Sequence, residues 1–145
     1  MLDHEAVVSI ALRAGAAILE IYNRPSAIQV TTKDDNSPLT EADITAHEII
    51  MNGLSGMDHN TPIVSEEGRL GDPTTSDTCW LVDPLDGTKE FVKRNGMFTV
   101  NIALMARREE RWSPIFGVVH APVSKVTWLG GLSIPAERRG PEGSG

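Results

Sequence analysis

The sequence predicts an α+β fold in which two N-terminal helices pack on a mostly antiparallel sheet. Apolar residues recur at helical spacing over residues 4–22 and again over residues 41–54. From residue 63 to residue 129 the chain instead holds short apolar runs separated by polar turns, and residues 99–105 alternate apolar and polar side chains. Because a helix or a sheet must bury its apolar side, we expect the two helices to cover one face of the sheet.

Local signals bound the helices. Asp3 can cap the first helix, and an Asn-Arg-Pro-Ser run directly after Tyr22 ends it. Thr40 stands immediately before the second helix, and glycines at positions 53 and 56 mark its end. We also expect a third, short helix over residues 87–94.

The strands are predicted from short runs of β-branched and other apolar residues between turn signals. A charged turn at residues 107–110 joins two of these runs, which predicts an antiparallel pair. Polar loops are expected at residues 33–38 and 69–77. The predicted strands are residues 28–32, 63–65, 78–83, 99–105, 115–120 and 125–129.

The character of the chain changes after residue 129. Residues 130–145 contain five glycines and two prolines, and their only large apolar side chains are Leu132 and Ile134. Such a segment buries too little apolar surface to order itself. We therefore expect one domain over residues 1–129 and a disordered Gly/Pro-rich tail over residues 130–145.

Charge and cysteine content narrow the class of protein. With 20 acidic and 13 basic side chains, the formal net charge is −7, which argues against a nucleic-acid polymer as partner because that partner needs a basic face. Cys79 is the only cysteine, so no intrachain disulfide is possible. No basic, apolar leader and no run of membrane-spanning length is present, so we expect a soluble cytoplasmic protein without a transmembrane segment.

The most informative stretch places two carboxylates, Asp83 and Asp86, on either side of Pro84 and directly before Gly87 and Thr88. An apolar strand is expected to deliver the first carboxylate to its end, and Pro84 is expected to stop that strand because it lacks an N–H for the ladder. The following residues can begin a helix, whose free N–H groups attract anions. Carboxylates beside such N–H groups suit hard cations bound next to a phosphate.

Each acidic position also has a purely structural interpretation. Residues 83–86 alone are typical of a strand–turn–helix junction with an N-cap. Asp43 follows Thr40 by three residues, as the acid of a capping box does. The Glu-Glu pair at 66–67 is equally typical of a solvated loop.

Other reactive side chains show no catalytic pattern. Cys79 lies in an apolar run and is expected to be a small core residue. No Gly-x-Ser-x-Gly pattern indicates an acyl hydrolase. Zinc ligation is not expected, because the histidines share no ligand-like spacing and are interpreted as structural or surface residues: they are His4, His47, His59 and His120.

Taken together, four segments resemble the metal-dependent, lithium-sensitive phosphatases of the inositol monophosphatase superfamily. Ser-Pro-Leu-Thr-Glu-Ala-Asp spans residues 37–43, Pro-Ile-Val-Ser-Glu-Glu-Gly spans 62–68, and Asp-Pro-Leu-Asp-Gly-Thr spans 83–88. The continuation over residues 89–104 is similar to the bisphosphate nucleotidase branch. The resemblance covers residues 1–129 and implies the metal-binding first domain of the αβαβα sugar-phosphatase fold, without that family's C-terminal domain.

The resemblance also implies a metal site. Glu66, Asp83, the Leu85 backbone carbonyl and Asp86 correspond to ligands of Mg²⁺, of which the intact family site holds two or three ions. The family's later Trp-Asp element is not in these 145 residues, so the implied second metal site is one ligand short.

Catalytic and substrate-binding roles are implied in the same way. An Asp in this family accepts the hydroxyl proton of a Thr, and the pair, here Asp43 and Thr88, orients a water for in-line attack, with Glu66 as a further catalytic residue. The implied substrate-binding residues are Asp86, Gly87, Thr88 and Lys89.

These roles imply an Mg²⁺-dependent phosphomonoester hydrolase. The nucleotidase branch implies removal of the 3'-phosphate of adenosine 3',5'-bisphosphate, a by-product of sulfate assimilation, so the expected partner is a small phosphorylated nucleotide. The alternatives are an inositol-1-phosphate phosphatase and a catalytically incompetent fragment that only binds metal.

Overall fold

The structure, a computed structural model, describes residues 2–24, 30–32, 38–140 and 143–144. Its helices are α1 (His4–Tyr22), α2 (Glu41–Met57) and α3 (Thr88–Lys93), with a 3₁₀ turn at Pro73–Thr75. Its strands are β1 (Val30–Thr32), β2 (Pro38–Thr40), β3 (Ile63–Ser65), β4 (Gly68–Leu70), β5 (Thr78–Asp86), β6 (Thr99–Arg108), β7 (Arg111–Ala121), β8 (Val126–Gly131), β9 (Glu137–Gly140) and β10 (Gly143–Ser144).

Eight of these strands form one sheet in the order β10-β9-β8-β7-β6-β5-β3-β4, and β1 pairs with β2 in a separate hairpin. Within the large sheet, β3 and β5 run parallel and the other neighbours run antiparallel. The predicted mostly antiparallel α+β architecture is therefore confirmed.

The two long helices cover one face of this sheet, which we call the inner face. Asp3 caps α1 by accepting a hydrogen bond of 3.0 Å from the Ala6 N–H. The apolar stripes of both helices join alternate strand residues in one core, because strand side chains alternate between faces. That core includes Val7, Ala11, Ile18, Ala46, Ile50, Leu54, Trp80, Val82, Val100, Ile102 and Val118.

Strand β5 differs from the prediction. The prediction that Pro84 ends the strand is wrong, because β5 continues to Asp86. Asp83 pairs with Asn101 and Asp86 pairs with Thr99, so the register shifts between them and β5 carries one extra residue. Such an irregularity accommodates a proline that cannot donate to the ladder. Both carboxylates consequently belong to the end of the same strand.

A glycine is the N-cap residue of helix α3. Gly87 is the N-cap residue with φ 95°, and a Cβ at this position would lie 3.0 Å from the Met97 carbonyl oxygen. Only glycine meets both conditions without strain. Behind α3, the rings of Tyr22, Phe91 and Phe98 contact one another at centroid distances of 5.1–5.5 Å. This aromatic packing holds α3 against the N-terminal helix.

The segment after residue 129 contains more structure than the sequence predicted. Residues 137–140 pair with β8, and Ile134 packs against the core. Arg139 holds the segment to α1 through two hydrogen bonds to the Glu5 carboxylate. The expectation of disorder therefore fails for the described part of this tail, because ladder bonds and an ion pair order a strand that has few apolar side chains. The domain boundary at residue 129 stays a prediction.

Part of the predicted strand over residues 28–32, and most of the predicted loop over residues 33–38, lie outside the described residues. Pro38 itself belongs to β2. Among the helices that the structure describes, none has both the length and the apolar character needed to cross a membrane.

Candidate active site

The first part of the candidate site is a buried carboxylate with two threonine partners. Asp43 lies in the first turn of α2 and is 0% exposed. Its Oδ2 accepts hydrogen bonds from the Thr40 hydroxyl at 2.6 Å and from the Thr40 N–H at 2.9 Å. Its Oδ1 accepts a hydrogen bond from the Thr88 hydroxyl at 2.9 Å. The sequence suggested a capping role and a catalytic role for Asp43 as alternatives, and the geometry allows both at once.

The capping box orients this carboxylate. Because Thr40 occupies Oδ2, the carboxylate plane is fixed and Oδ1 faces α3. Thr88 then directs its hydroxyl proton toward Asp43, with the Leu85 carbonyl oxygen as a second, longer acceptor at 3.3 Å. A hydroxyl whose proton is engaged in this way retains lone pairs that can accept a hydrogen bond from a water.

The second part is a pair of carboxylates brought together by the parallel strands β3 and β5. Ser65 pairs with Val82, and the Glu66 N–H donates to the Val82 carbonyl at 3.2 Å. Glu66 and Asp83 therefore follow neighbouring positions at the same edge of the sheet. Both line a cavity of about 560 Å³ on the sheet face opposite the helices. Glu66 is exposed and Asp83 is half-buried.

Asn101 also lines this cavity and was not identified from the sequence. Its side-chain amide donates to Asp86 Oδ2 at 3.1 Å, and its Oδ1 accepts a hydrogen bond of 2.9 Å from the Thr99 hydroxyl. It thereby links the exposed Asp86 carboxylate to the strand that pairs with Asp83. The only sequence signal for Asn101 was an Asn within a strand of alternating apolar and polar residues. Its pairing with Asp83 follows from the strand register, which the sequence does not give.

His47 supports the loop that carries the Glu-Glu pair. Its Nδ1 lies 2.9 Å from the Ser65 hydroxyl oxygen, which also accepts a hydrogen bond of 3.3 Å from the Glu67 N–H. The sequence predicted His47 to be a structural or surface residue and did not predict its contact with Ser65. The sequence signal for that contact was the position of His47 four residues after Asp43, because residues four apart share a helix face.

The donor set suits a hard cation, although the acids do not form a cage by themselves. The predicted ligands are carboxylate oxygens and one backbone carbonyl, which Mg²⁺ prefers. In the described part of the chain, no group of three or more His, Cys, Asp or Glu side chains is arranged to hold a metal ion. Mg²⁺ sites commonly combine one or two carboxylates with waters and substrate phosphate, and Glu66 with Asp83 fits that pattern. The metal ligands stay predictions.

Only some of the predicted substrate-binding residues lie close together in the structure. Thr88 joins Asp43, and Gly87 precedes it at the start of α3. Lys89 is exposed on α3 and is not among the residues that line the cavity of Glu66 and Asp83. Its predicted role rests on the resemblance alone.

Comparison with known proteins identifies the family. The model of the inositol monophosphatase family matches residues 3–138. The 3'(2'),5'-bisphosphate nucleotidase CysQ of Escherichia coli K12 is 48% identical over 130 residues, which cover 88% of this chain and 50% of that protein.

Two solved structures extend the likeness to the fold. The CysQ structure from Bacteroides thetaiotaomicron, described as a bacterial member of the inositol monophosphatase family, is 42% identical with a TM-score of 0.75 and covers 94% of this chain and 48% of that one. The extragenic suppressor protein suhB from Bartonella henselae is 27% identical with a TM-score of 0.80, covering 91% and 50%. The chain thus spans about half the length of these relatives. It belongs to the inositol monophosphatase family.

Proposed function

We propose that this chain supplies the catalytic half of an Mg²⁺-dependent 3'(2'),5'-bisphosphate nucleotidase. The proposed reaction removes the 3'-phosphate of adenosine 3',5'-bisphosphate and yields AMP and phosphate. The observation that carries the proposal is the Thr88–Asp43 hydrogen bond at the strand end that bears Asp83. The identity to CysQ supports the choice of nucleotide substrate.

The residues divide the chemistry between them. Asp43 accepts the hydrogen bond of the Thr88 hydroxyl, so that the hydroxyl oxygen is turned to accept a hydrogen bond from a water and orients that water toward phosphorus. Glu66 and Asp83 would hold Mg²⁺, with Asp86 and the Leu85 backbone carbonyl as further ligands. Bound Mg²⁺ would neutralise charge on the phosphoryl oxygens and assist the leaving oxygen.

The same residues explain how a protein with a net negative charge can bind an anionic substrate. The chain has a formal net charge of −7, which repels phosphate. Cations held by the carboxylates reverse the local field. The N–H groups of Gly87 and Thr88 would hold phosphate oxygens, and Lys89 would add a positive charge. Removal of the cation with a chelator should therefore abolish substrate binding as well as turnover.

The test fuses residues 1–129 to the unmatched C-terminal half of the Escherichia coli CysQ protein and measures phosphate release. We expect Mg²⁺-dependent, lithium-inhibited release that is faster from adenosine 3',5'-bisphosphate than from inositol 1-phosphate. The 145-residue chain alone should show little or no turnover. Robust turnover by the isolated chain would contradict this last expectation.

Matched variants of the fusion test the assigned roles. Thr88→Val, which removes only the hydroxyl, should lower kcat by about 10²–10⁴-fold, the usual contribution of a positioned proton acceptor. Thr88→Ser should retain most of the activity, and Asp83→Asn should abolish it. Full activity in Thr88→Val would refute the water-orienting role. Faster release from inositol 1-phosphate would instead establish the inositol-1-phosphate alternative, and no release from either substrate by a folded fusion would reject both.

A further inference from the structure

The tight turn between β3 and β4 determines where the Glu66 carboxylate lies. Ser65 pairs with Gly68 at the end of this hairpin, so Glu66 and Glu67 form its turn. The Glu66 N–H donates to the Val82 carbonyl at 3.2 Å, which holds the first turn residue against β5. The Glu67 N–H donates instead to the Ser65 hydroxyl oxygen at 3.3 Å. The position of the second turn residue therefore depends on the orientation of a side chain.

The side chain of His47, on α2, contacts both sides of this turn. Its Nδ1 lies 2.9 Å from the Ser65 hydroxyl oxygen, and both residues are half-buried. On the other side, a Cβ added to Gly68 would lie 3.6 Å from Cε1 and Nε2 of the same ring, so the imidazole packs against the backbone there. His47 thus fixes the Ser65 rotamer and supports the residue that follows the turn.

Helix α2 connects this turn to the water-orienting part of the candidate site. His47 follows Asp43 by four residues, so both side chains lie on the same side of the helix. Asp43 accepts the hydrogen bond of the Thr88 hydroxyl at 2.9 Å. Ala46, which lies between them on α2, is 0% exposed in the core. A packed helix therefore sets the separation between the Thr88 hydroxyl and the turn that carries Glu66.

We propose that His47 is a positioning residue for the cation: through Ser65 it holds the turn so that the Glu66 carboxylate stays beside Asp83. This inference rests on the proposed function, because it takes Glu66 and Asp83 as ligands of Mg²⁺. A ligand that is already in place loses less conformational freedom when the ion binds, so partners that never touch the ion affect its affinity. His47 is not among the described residues that line the cavity of Glu66 and Asp83, so it does not touch the substrate there.

The primary test is cation binding by the 145-residue chain and its variants. Mn²⁺ is the probe, since it takes the same oxygen ligands as Mg²⁺, and the electron paramagnetic resonance signal of the free ion measures the unbound fraction. His47→Phe keeps a ring but removes both ring nitrogens, and it should raise the Mn²⁺ dissociation constant by about tenfold or more.

Two further substitutions separate the polar contact from the presence of a ring. His47→Asn should recover most of the affinity, because the polar atoms of Asn lie as close to Cβ as Nδ1 of His does. His59→Phe is the matched control, since it makes the same change at a histidine that is exposed in a loop. It should leave the Mn²⁺ dissociation constant unchanged.

Ser65→Ala removes a single hydroxyl and tests the other member of the contact. It should weaken Mn²⁺ binding to a similar degree. His47→Phe should have little further effect in the Ser65→Ala chain, because both changes remove the same contact. Urea unfolding of each variant shows that it is folded, so a loss of cation affinity is separated from a loss of stability.

Amide hydrogen exchange measures the turn in the absence of any metal. The Glu67 N–H should exchange several times faster in His47→Phe than in the unsubstituted chain, because the Ser65 hydroxyl that accepts its hydrogen bond is no longer held. His59→Phe should leave this exchange rate unchanged.

Unchanged Mn²⁺ affinity in a folded His47→Phe chain would overturn the inference, and so would unchanged exchange of the Glu67 N–H. Equal losses of affinity in His47→Asn and His47→Phe would also overturn it, because the contact with Ser65 would then be irrelevant. An unsubstituted chain that binds no Mn²⁺ would overturn the ligand assignment and this inference together. Failure of phosphate release alone would count against the proposed function and leave the inference standing.

Discussion

The two faces of the central sheet differ although they are built from adjacent residues of the same strands. On β5, Val82 points into the core and is 3% exposed, whereas its neighbour Leu81 is 48% exposed. The inner face is closed by the chain's own helices. The opposite side of the sheet, the outer face, combines open apolar surface with the carboxylates of Glu66 and Asp83. The difference shows that the chain closes its own core on one side of the sheet and leaves Glu66 and Asp83 on the side that remains open, whereas Asp43 of the candidate site is buried with α2.

The largest expected effect comes from truncating the inner face. Ile102→Ala should lower the free energy of unfolding by about 2–5 kcal/mol, because Ile102 is buried and leaves a cavity. Leu81→Ala on the outer face should change it by less than about 1 kcal/mol. Urea unfolding of both variants gives the comparison. Similar losses for the two variants would contradict an open outer face.

A smaller effect is expected where α1 meets the sheet. A Cβ on Gly15 would lie 2.7 Å from Cδ2 of the buried His120 ring, so Gly15→Ala should destabilise by about 1–3 kcal/mol. Gly56→Ala on α2 is the matched control, because apart from the neighbouring backbone of α2 itself no atom lies within 4 Å of its added Cβ. That substitution should be neutral or stabilising by up to about 1 kcal/mol. Thermal or urea unfolding of the pair tests how tightly the inner face is packed.

The free energy of unfolding should also depend on pH, through a histidine buried at the inner face. His120 is buried with Nδ1 2.8 Å from the Thr127 hydroxyl oxygen, and desolvation lowers its pKa. The folded pKa therefore lies below the unfolded value of about 6.5, so folding favours the neutral ring. Stability should be full above that value and fall as the pH drops through the folded pKa.

Urea unfolding at a series of pH values from about 7.5 to 5 checks this prediction. His120→Gln should remove the decline, and His59→Gln, at an exposed loop position, should retain it. A decline that persists unchanged in His120→Gln would assign the pH dependence to another group.

The smallest effect is expected for an ion pair that belongs to neither face. Arg24 Nη1 contacts Glu41 Oε2 at 2.8 Å, and both side chains are more than 40% exposed. Glu41→Gln should cost less than about 1 kcal/mol, because solvent screens such pairs. Chemical denaturation in low and high salt checks this, and a loss comparable to that of Ile102→Ala would show that the surface contributes as much as the core.

Much of the fold was predictable because its signals are local. The helical spacing of residues 4–22 and the alternation of residues 99–105 depend on neighbours along the chain, and both elements appear as predicted. Two of the predictions that failed share a reason. Pro84 remains within β5, and residues 137–140 form a strand, because pairing with a neighbouring strand outweighed the local preference of each segment.

The sequence by itself determined which residue types are available: the Asp83–Thr88 motif, the Glu66 segment and a capping acid at Asp43, each defined by short spacing. Only the tertiary structure decided which of them meet. The Thr88 hydroxyl reaches Asp43 across 45 residues, and Glu66 comes beside Asp83 because β3 and β5 pair in parallel. Strand register also aligned Asn101 with Asp83 and left Leu81 exposed. Register and packing arise from contacts between distant segments, and no spacing along the chain encodes them directly.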